Sequence, residues 1–170
     1  MAMSPADLER FYDYHYWANR HLLGVVSSLT TEQFTRTVAG SYGSVRNTLV
    51  HVLSAERGWL ERCGGPARGP KLDPVNYPTV ESLVHEWMRV EAQVRAFLSS
   101  LKPEDVTRDI TFAIGDGPSH TVSLGDLMLH AAVHAVHHRG QVALLLRTLG
   151  VVPGNFDLLH YATDKGSVAA

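Results

Sequence analysis

The chain holds a single cysteine, Cys63, in 170 residues. One thiol excludes an intrachain disulfide and points to a cytoplasmic protein. Long apolar runs are missing as well: none approaches the roughly 18 residues that a membrane span needs, so no membrane partner is expected. Met1-Ala2-Met3-Ser4-Pro5 leads straight into an amphipathic pattern with Asp7, Glu9 and Arg10, which does not suit a secretion signal. There is no excess of charge of one sign. Lys and Arg total 15 against 17 Asp and Glu, for a formal net charge of -2, and the isoelectric point is near 6.5. Nucleic-acid binders carry a clear basic surplus, so a nucleic-acid partner is not expected either.

What remains is an ordinary globular composition, 45% hydrophobic and 19% charged, with one oddity: ten histidines. The length suits one well-buried domain, expected here over residues 1–170. No internal repeat is present.

Four long helical segments are predicted. The first opens at Ser4-Pro5-Ala6-Asp7, where Ser4 can cap, proline suits the first helical position and Asp7 closes a capping box. Leu8, Phe11, His15, Ala18, Leu22, Val25 and Leu29 then recur at steps of three and four, one continuous face. Thr30 to Gln33 can start a short extra turn. The second follows Gly40-Ser41-Tyr42-Gly43, with Ser44 as cap, and stops near Cys63 at Gly64-Gly65-Pro66. Residues 64–78 hold three glycines and four prolines and read as a surface loop. The third runs from about Thr79 to Leu98, with Leu83, Trp87, Val90, Val94 and Phe97 on one side, and Pro103 ends any continuation. In 107–122, Ile110, Phe112 and Ile114 alternate and Gly115-Asp116-Gly117-Pro118 can turn the chain, which predicts a β-hairpin. Ser123-Leu124-Gly125-Asp126 opens the fourth helix, which ends at Gly150. Its inward stripe is Leu124, Leu127, Ala131, His134, His138, Val142, Leu145 and Leu149. The predicted fold is all-α, an antiparallel four-helix bundle with a small β-hairpin before the last long helix. The long 64–78 and 99–122 connections leave a simple up-down-up-down order open.

His134 and His138 are four apart, so both imidazoles share one helix face. Two neutral rings side by side in a core would each need a donor and an acceptor; a cation satisfies both at once. His51 lies on the line Thr48, His51, Ala55, Gly58 of the second helix, where small neighbours leave open space. Three histidines without a nearby carboxylate favour zinc or nickel over the iron triad of two histidines and an acid. Three protein ligands leave a position open for water or substrate, the catalytic rather than the structural pattern. His15, on the apolar stripe of the first helix, is the rival third ligand, more readily a core residue supporting the site. His130 turns away from the stripe. His137 is rotated about 100° from His138 and does not join the same site easily. His21, His85, His120 and His160 read as surface or loop residues.

Among supporting residues, Asn47 precedes His51 by four and could orient its ring, or be an exposed helix-start residue. Gln141, three beyond His138, could hydrogen-bond a metal-bound water or ligand. Gly140 inside a helix costs about 1 kcal/mol relative to alanine, which suggests close helix approach. Arg139 could meet an anionic substrate, but a structural pairing with an acid of the first or third long helix is favoured. Tyr14, Trp17 and Trp59 read as core or pocket wall. Cys63 sits at a helix C-terminus, where the dipole disfavours a thiolate nucleophile.

Several of these pieces together resemble the DinB family of metal-binding four-helix bundles. They are Tyr14-His15-Tyr16-Trp17-Ala18-Asn19, then Gly43-Ser44-Val45-Arg46-Asn47-Thr48-Leu49-Val50-His51, then His130, His134 and His138-Arg139-Gly140-Gln141. Leu149-Gly150-Val151-Val152-Pro153 followed by Asp157-Leu158-Leu159 is also similar. The likeness spans nearly the whole chain in the same order. The resemblance implies metal ligands at His51, His134 and His138, the same three that the spacing selects. It also implies an antiparallel bundle, often a homodimer, with a divalent metal in an open-ended pocket. Several members are thiol-dependent, as S-transferases using bacillithiol, mycothiol or glutathione, or as maleylpyruvate isomerases. The family name comes from induction by DNA damage and does not imply DNA binding.

The leading expectation is therefore a metal-dependent S-transferase that activates a low-molecular-weight thiol. No residue is marked as a general base. The alternatives are a metal-hydroxide hydrolase on the same site, and a non-catalytic metal- or small-ligand-binding protein of a stress response.

Overall fold

The computed structural model describes residues 3–65 and 69–168. The long helices are α1 (Pro5–Val26), α3 (Val45–Arg62), α4 (Val80–Ser100) and α6 (Leu124–Thr148). Short helices α2 (Thr31–Thr35) and α5 (Pro103–Val106) and a 3-10 turn at Pro74–Asn76 lie in the connections. Strands β1 (Asp109–Ala113) and β2 (Ser119–Ser123) pair antiparallel just before α6, with Ile110 opposite Val122 and Phe112 opposite His120. A last helix, α7 (Leu158–Val168), follows. The architecture is the all-α four-helix bundle with a hairpin that the sequence predicts.

Side-chain caps fix where the long helices begin. Ser4 and Asp7 form the full capping box of α1, and Ser44 accepts the Asn47 N–H at the start of α3. Thr79 and Ser82 box α4. Ser123, whose hydroxyl accepts the Asp126 N–H, starts α6 directly from the end of β2. Each of these hydroxyls satisfies a backbone donor that the helix itself cannot.

The order of the helices follows from their contacts. α1 packs on α4 and α6, and α3 packs on the same two. Tyr12 donates to the Met128 carbonyl at 2.9 Å and Arg139 donates to Asn19 at 2.8 Å, so α1 and α6 run parallel. Ion pairs Arg20–Glu91 and Arg95–Asp13, both at 3.0 Å, make α1 and α4 antiparallel. The His51–His134 and Trp59–His130 contacts make α3 and α6 antiparallel. The bundle therefore runs up, down, down, up, and α1 and α3 stand diagonally. Two successive helices in the same direction need a returning connection. The glycine- and proline-rich segment supplies it: the Gly69 N–H donates to Glu61 and the Leu72 N–H to Ser54, both at 3.2 Å, so it climbs back along α3.

The core is formed by Leu8, Tyr12, Tyr16 and Leu22 of α1, Leu49, Leu53 and Leu60 of α3, Leu83, Trp87, Val90 and Val94 of α4, and Leu127, Val142 and Leu146 of α6. The α1 stripe differs from the predicted one. Tyr12 and Tyr16 lie fully inside, because their hydroxyls find buried acceptors at Met128 and Glu56. Phe11 and Val25 are only half-buried. The helix ends at Val26 rather than Leu29, since the hydroxyls of Ser27 and Ser28 take the carbonyls of Leu23 and Val25. Pro103 opens α5 at its first position instead of only ending α4. Gly140 marks no close helix approach: nothing lies within 4 Å of where its Cβ would stand. α7 was not expected; Leu158 and Leu159 face solvent, and Tyr161 packs on Tyr14 and Ala18. Among the described residues no helix is long and apolar enough to cross a membrane.

Candidate metal centre

His51 comes from the middle of α3, and His134 and His138 from successive turns of α6, the helix antiparallel to it. Their ring nitrogens converge. His134 Nε2 lies 3.3 Å from His51 Nε2 and 3.0 Å from His138 Nε2. One ligand atom from each falls within 4.8 Å of the others, the only such group of three among the described residues, and it contains no carboxylate. A metal at about 2.0–2.1 Å from each nitrogen in a tetrahedral site places ligand nitrogens about 3.3–3.4 Å apart, close to the spacing found here.

Neighbouring side chains set the ring tautomers. The carboxamide oxygen of Gln141 lies 2.7 Å from His138 Nδ1. An oxygen can only accept, so Nδ1 carries the proton and Nε2 offers a lone pair. Ser41 donates to the same oxygen at 2.7 Å, which leaves the Gln141 amide nitrogen turned to His137 at 3.0 Å. His51 Nε2 faces the Tyr42 hydroxyl at 3.0 Å, and the two rings stack with centroids 4.0 Å apart. His138 thus aims its Nε2 lone pair at His134 Nε2, and His51 Nε2 faces the same atom from α3, so three ring nitrogens crowd one point. A cation at that point accepts a lone pair from each ring at once.

Burial lowers the pKa of His51 and of His134 to about 4. The ring of His138 adds to both shifts, and Lys71 to that of His51. Burial lowers His138 too, partly offset by its bond to Gln141. All three are neutral near pH 7, the form that binds metal. Beside them opens a cleft of about 440 Å³. His51, Ala55, Gly58, Trp59 and Ile114 line it together with His134 and the charged Arg57, Glu61, Arg62 and Lys71. The small residues on the α3 line do leave the space that the sequence suggested.

The DinB family profile matches residues 3–166. This chain belongs to the DinB family. It is 20% identical over 163 residues to protein DinB of Bacillus subtilis, covering 91% of this chain and 94% of that protein. A DinB-like protein from Bacillus cereus has the same fold, with a TM-score of 0.76, 20% identity, and coverage of 91% of this chain and 99% of that one. A conserved protein from Enterococcus faecalis superposes with a TM-score of 0.57 and 15% identity, over 82% of this chain and 94% of the other.

The remaining candidates of this DinB-family chain are placed elsewhere. Asn47 does not reach His51: its amide donates to the Tyr42 carbonyl at 3.2 Å, so it acts on the site through the loop that carries Tyr42. That loop needs left-handed backbone at Gly40, Ser41 and Gly43 (φ 97°, 48° and 83°), which the two glycines allow without strain. His15 is not part of the histidine cluster. It is fully buried, 3.3 Å from Glu56 and 3.0 Å from Asn19. Arg139 is buried with it, donating to Asn19 at 2.8 Å and facing His15 Nδ1 at 3.3 Å, so it is not exposed to a substrate in the cleft. Tyr16 completes the group by donating to Glu56 at 2.5 Å. Burial pushes the Glu56 carboxyl up, but His15, Tyr16 and Arg139 together hold it below its ordinary value. Cys63 is buried, and its thiol is pushed up to about 11, which leaves it inert. Trp59 forms a cleft wall, edge-on to Phe112 and His130. His21, His85, His120 and His160 are exposed, on helices and a strand rather than in loops.

Sequence reasoning missed Tyr42 and Glu56. Glu56 had a signal: it stands three after Leu53 and four before Leu60, on the core line of α3. Tyr42 had little beyond an aromatic ring between two glycines near His51.

Proposed function

We propose that this protein is a metal-dependent enzyme in which His51, His134 and His138 hold one divalent ion, zinc or nickel, and that it transfers a low-molecular-weight thiol to an electrophile. One observation carries this: three neutral imidazoles turn their Nε2 atoms to a common point at the edge of an open cleft. When bound, such an ion lowers the pKa of a coordinated thiol so that the nucleophilic thiolate is populated at neutral pH. The residues around it supply orientation. Gln141 holds His138 in one tautomer, and Tyr42 holds His51 by stacking and keeps a hydroxyl beside the incoming group. Trp59 and Ile114 offer apolar surface for the electrophile. Glu61, the cleft carboxylate among the described residues, already accepts the Gly69 N–H and pairs with Arg57. It is not poised as a base, which suits chemistry that rests on thiol ionisation. A cytoplasmic location, supported by the single buried thiol, and a homodimer, supported by the family resemblance, belong to the same proposal.

The test is metal content by plasma mass spectrometry on untagged protein, with His134→Ala alongside. The expected result is near one zinc or nickel per chain, lost in the variant, followed by turnover that requires a thiol. A wild type that neither carries nor takes up either metal overturns the proposal. Turnover that persists without any thiol replaces transfer by hydrolysis. Metal-dependent stabilisation without turnover leaves a binding protein.

A further inference from the structure

The cleft beside the histidines is unevenly charged. Arg57 and Glu61 sit 3.5 Å apart with side chains nearly buried, and Glu61 also takes the Gly69 N–H, so these two charges answer each other. Arg62 lies over the face of Trp59, 4.8 Å from the ring centre, and donates to the Gly58 carbonyl at 2.9 Å. Lys71 is different. It stands exposed at the rim, and among the described residues it has no hydrogen bond or ion pair. Its charge nevertheless reaches His51, whose protonation it disfavours. Ile114 stands in the hairpin turn, 61% exposed although large and apolar. It faces the same cleft as Trp59. A concave site with an apolar wall, a surplus of positive charge and one unengaged ammonium at its mouth is built for an amphipathic anion.

We propose that this cleft binds a small carboxylate, its anionic end on Lys71 and its apolar body between Trp59 and Ile114. Arg57 is held by Glu61 and Arg62 lies over Trp59, so one compact ammonium is left at the mouth to answer the single charge of a carboxylate. The volume of about 440 Å³ accommodates a molecule the size of an aromatic or short-chain acid. In the enzyme proposed above, this would make the electrophile or the thiol an acid, anchored by its carboxylate away from the reacting atom. Only that catalytic meaning rests on the metal reading; the binding itself does not.

The test uses the full-length chain stripped of metal, so that a carboxylate cannot be held by the ion. Benzoate and its neutral counterpart benzamide are titrated separately. The Trp59 indole N–H is followed by nuclear magnetic resonance, with its signal assigned by Trp59→Phe. Benzoate is expected to shift that signal and to bind about fivefold more tightly than benzamide. In Lys71→Gln, an exposed substitution, the preference should fall to about twofold or less, and added salt should weaken it in the wild type. Equal binding of the two compounds, a preference that survives Lys71→Gln, or no response at Trp59 each overturns the inference. Metal content is measured on the same preparation before stripping. Absence of metal with a retained benzoate preference defeats the metal reading alone, and the reverse result defeats the carboxylate site alone.

Discussion

Gln141 illustrates how one side chain fixes the chemistry of another. Its carboxamide oxygen makes His138 keep a proton on Nδ1, so the lone pair on Nε2 is always aimed at His134. Partners of this kind typically change metal affinity by about 10–100-fold. Gln141→Ala is therefore expected to weaken zinc binding by about that factor without abolishing it, measured by competition with a chromophoric chelator. In the proposed site His134→Ala removes a ligand and should abolish it. An affinity unchanged in Gln141→Ala would show that the α6 backbone alone orients the ring. The three histidines were legible in the sequence because a step of four residues and a line of small neighbours are local features. The residues that orient them were not. Tyr42 meets His51 by way of a loop whose path depends on positive φ at Gly40 and Gly43, and a motif does not encode that path.

At the level of elements, the buried group of His15, Tyr16, Asn19, Glu56 and Arg139 joins α1, α3 and α6 at one depth of the bundle. Removing one partner of a buried charge pair leaves the other uncompensated, at a cost of about 3–5 kcal/mol, whereas replacing both with apolar groups is often neutral or better. Glu56→Leu and Arg139→Met should each lower stability strongly in chemical denaturation, and the double variant should recover most of the loss. Additive losses would mean that the two charges do not compensate each other. The helices themselves were legible from caps and periodicity, and the hairpin from its alternation. The phase of α1 was not, because Tyr12 and Tyr16 look amphipathic until a buried acceptor is found for each hydroxyl. α7 escaped for the opposite reason: its two leucines face solvent, so no apolar stripe announces it.

The whole molecule carries its histidines as a pH liability. In the folded metal-free chain His51 and His134 protonate near pH 4, and in the unfolded chain near their ordinary 6.5. The unfolded state therefore takes up protons first as pH falls. The contribution of these rings to stability is complete above about 6.5 and is lost progressively down to about 4. The melting temperature of metal-free protein should fall across that window, and His51→Asn with His134→Asn should flatten the fall. A profile that the double substitution leaves unchanged would place the acid sensitivity elsewhere. The up, down, down, up order bears on how the chain reaches its fold. α1 and α3 follow each other yet stand diagonally, and each lies against α6 near the far end of the sequence. No early helical hairpin can shelter their apolar faces, so closure waits on contacts of long sequence separation, which are slow to form. During synthesis α4 can cover part of α1 and α3, but the sides that these helices turn to α6 stay open until residues 124–148 leave the ribosome, which makes closure of the bundle a late, cooperative event.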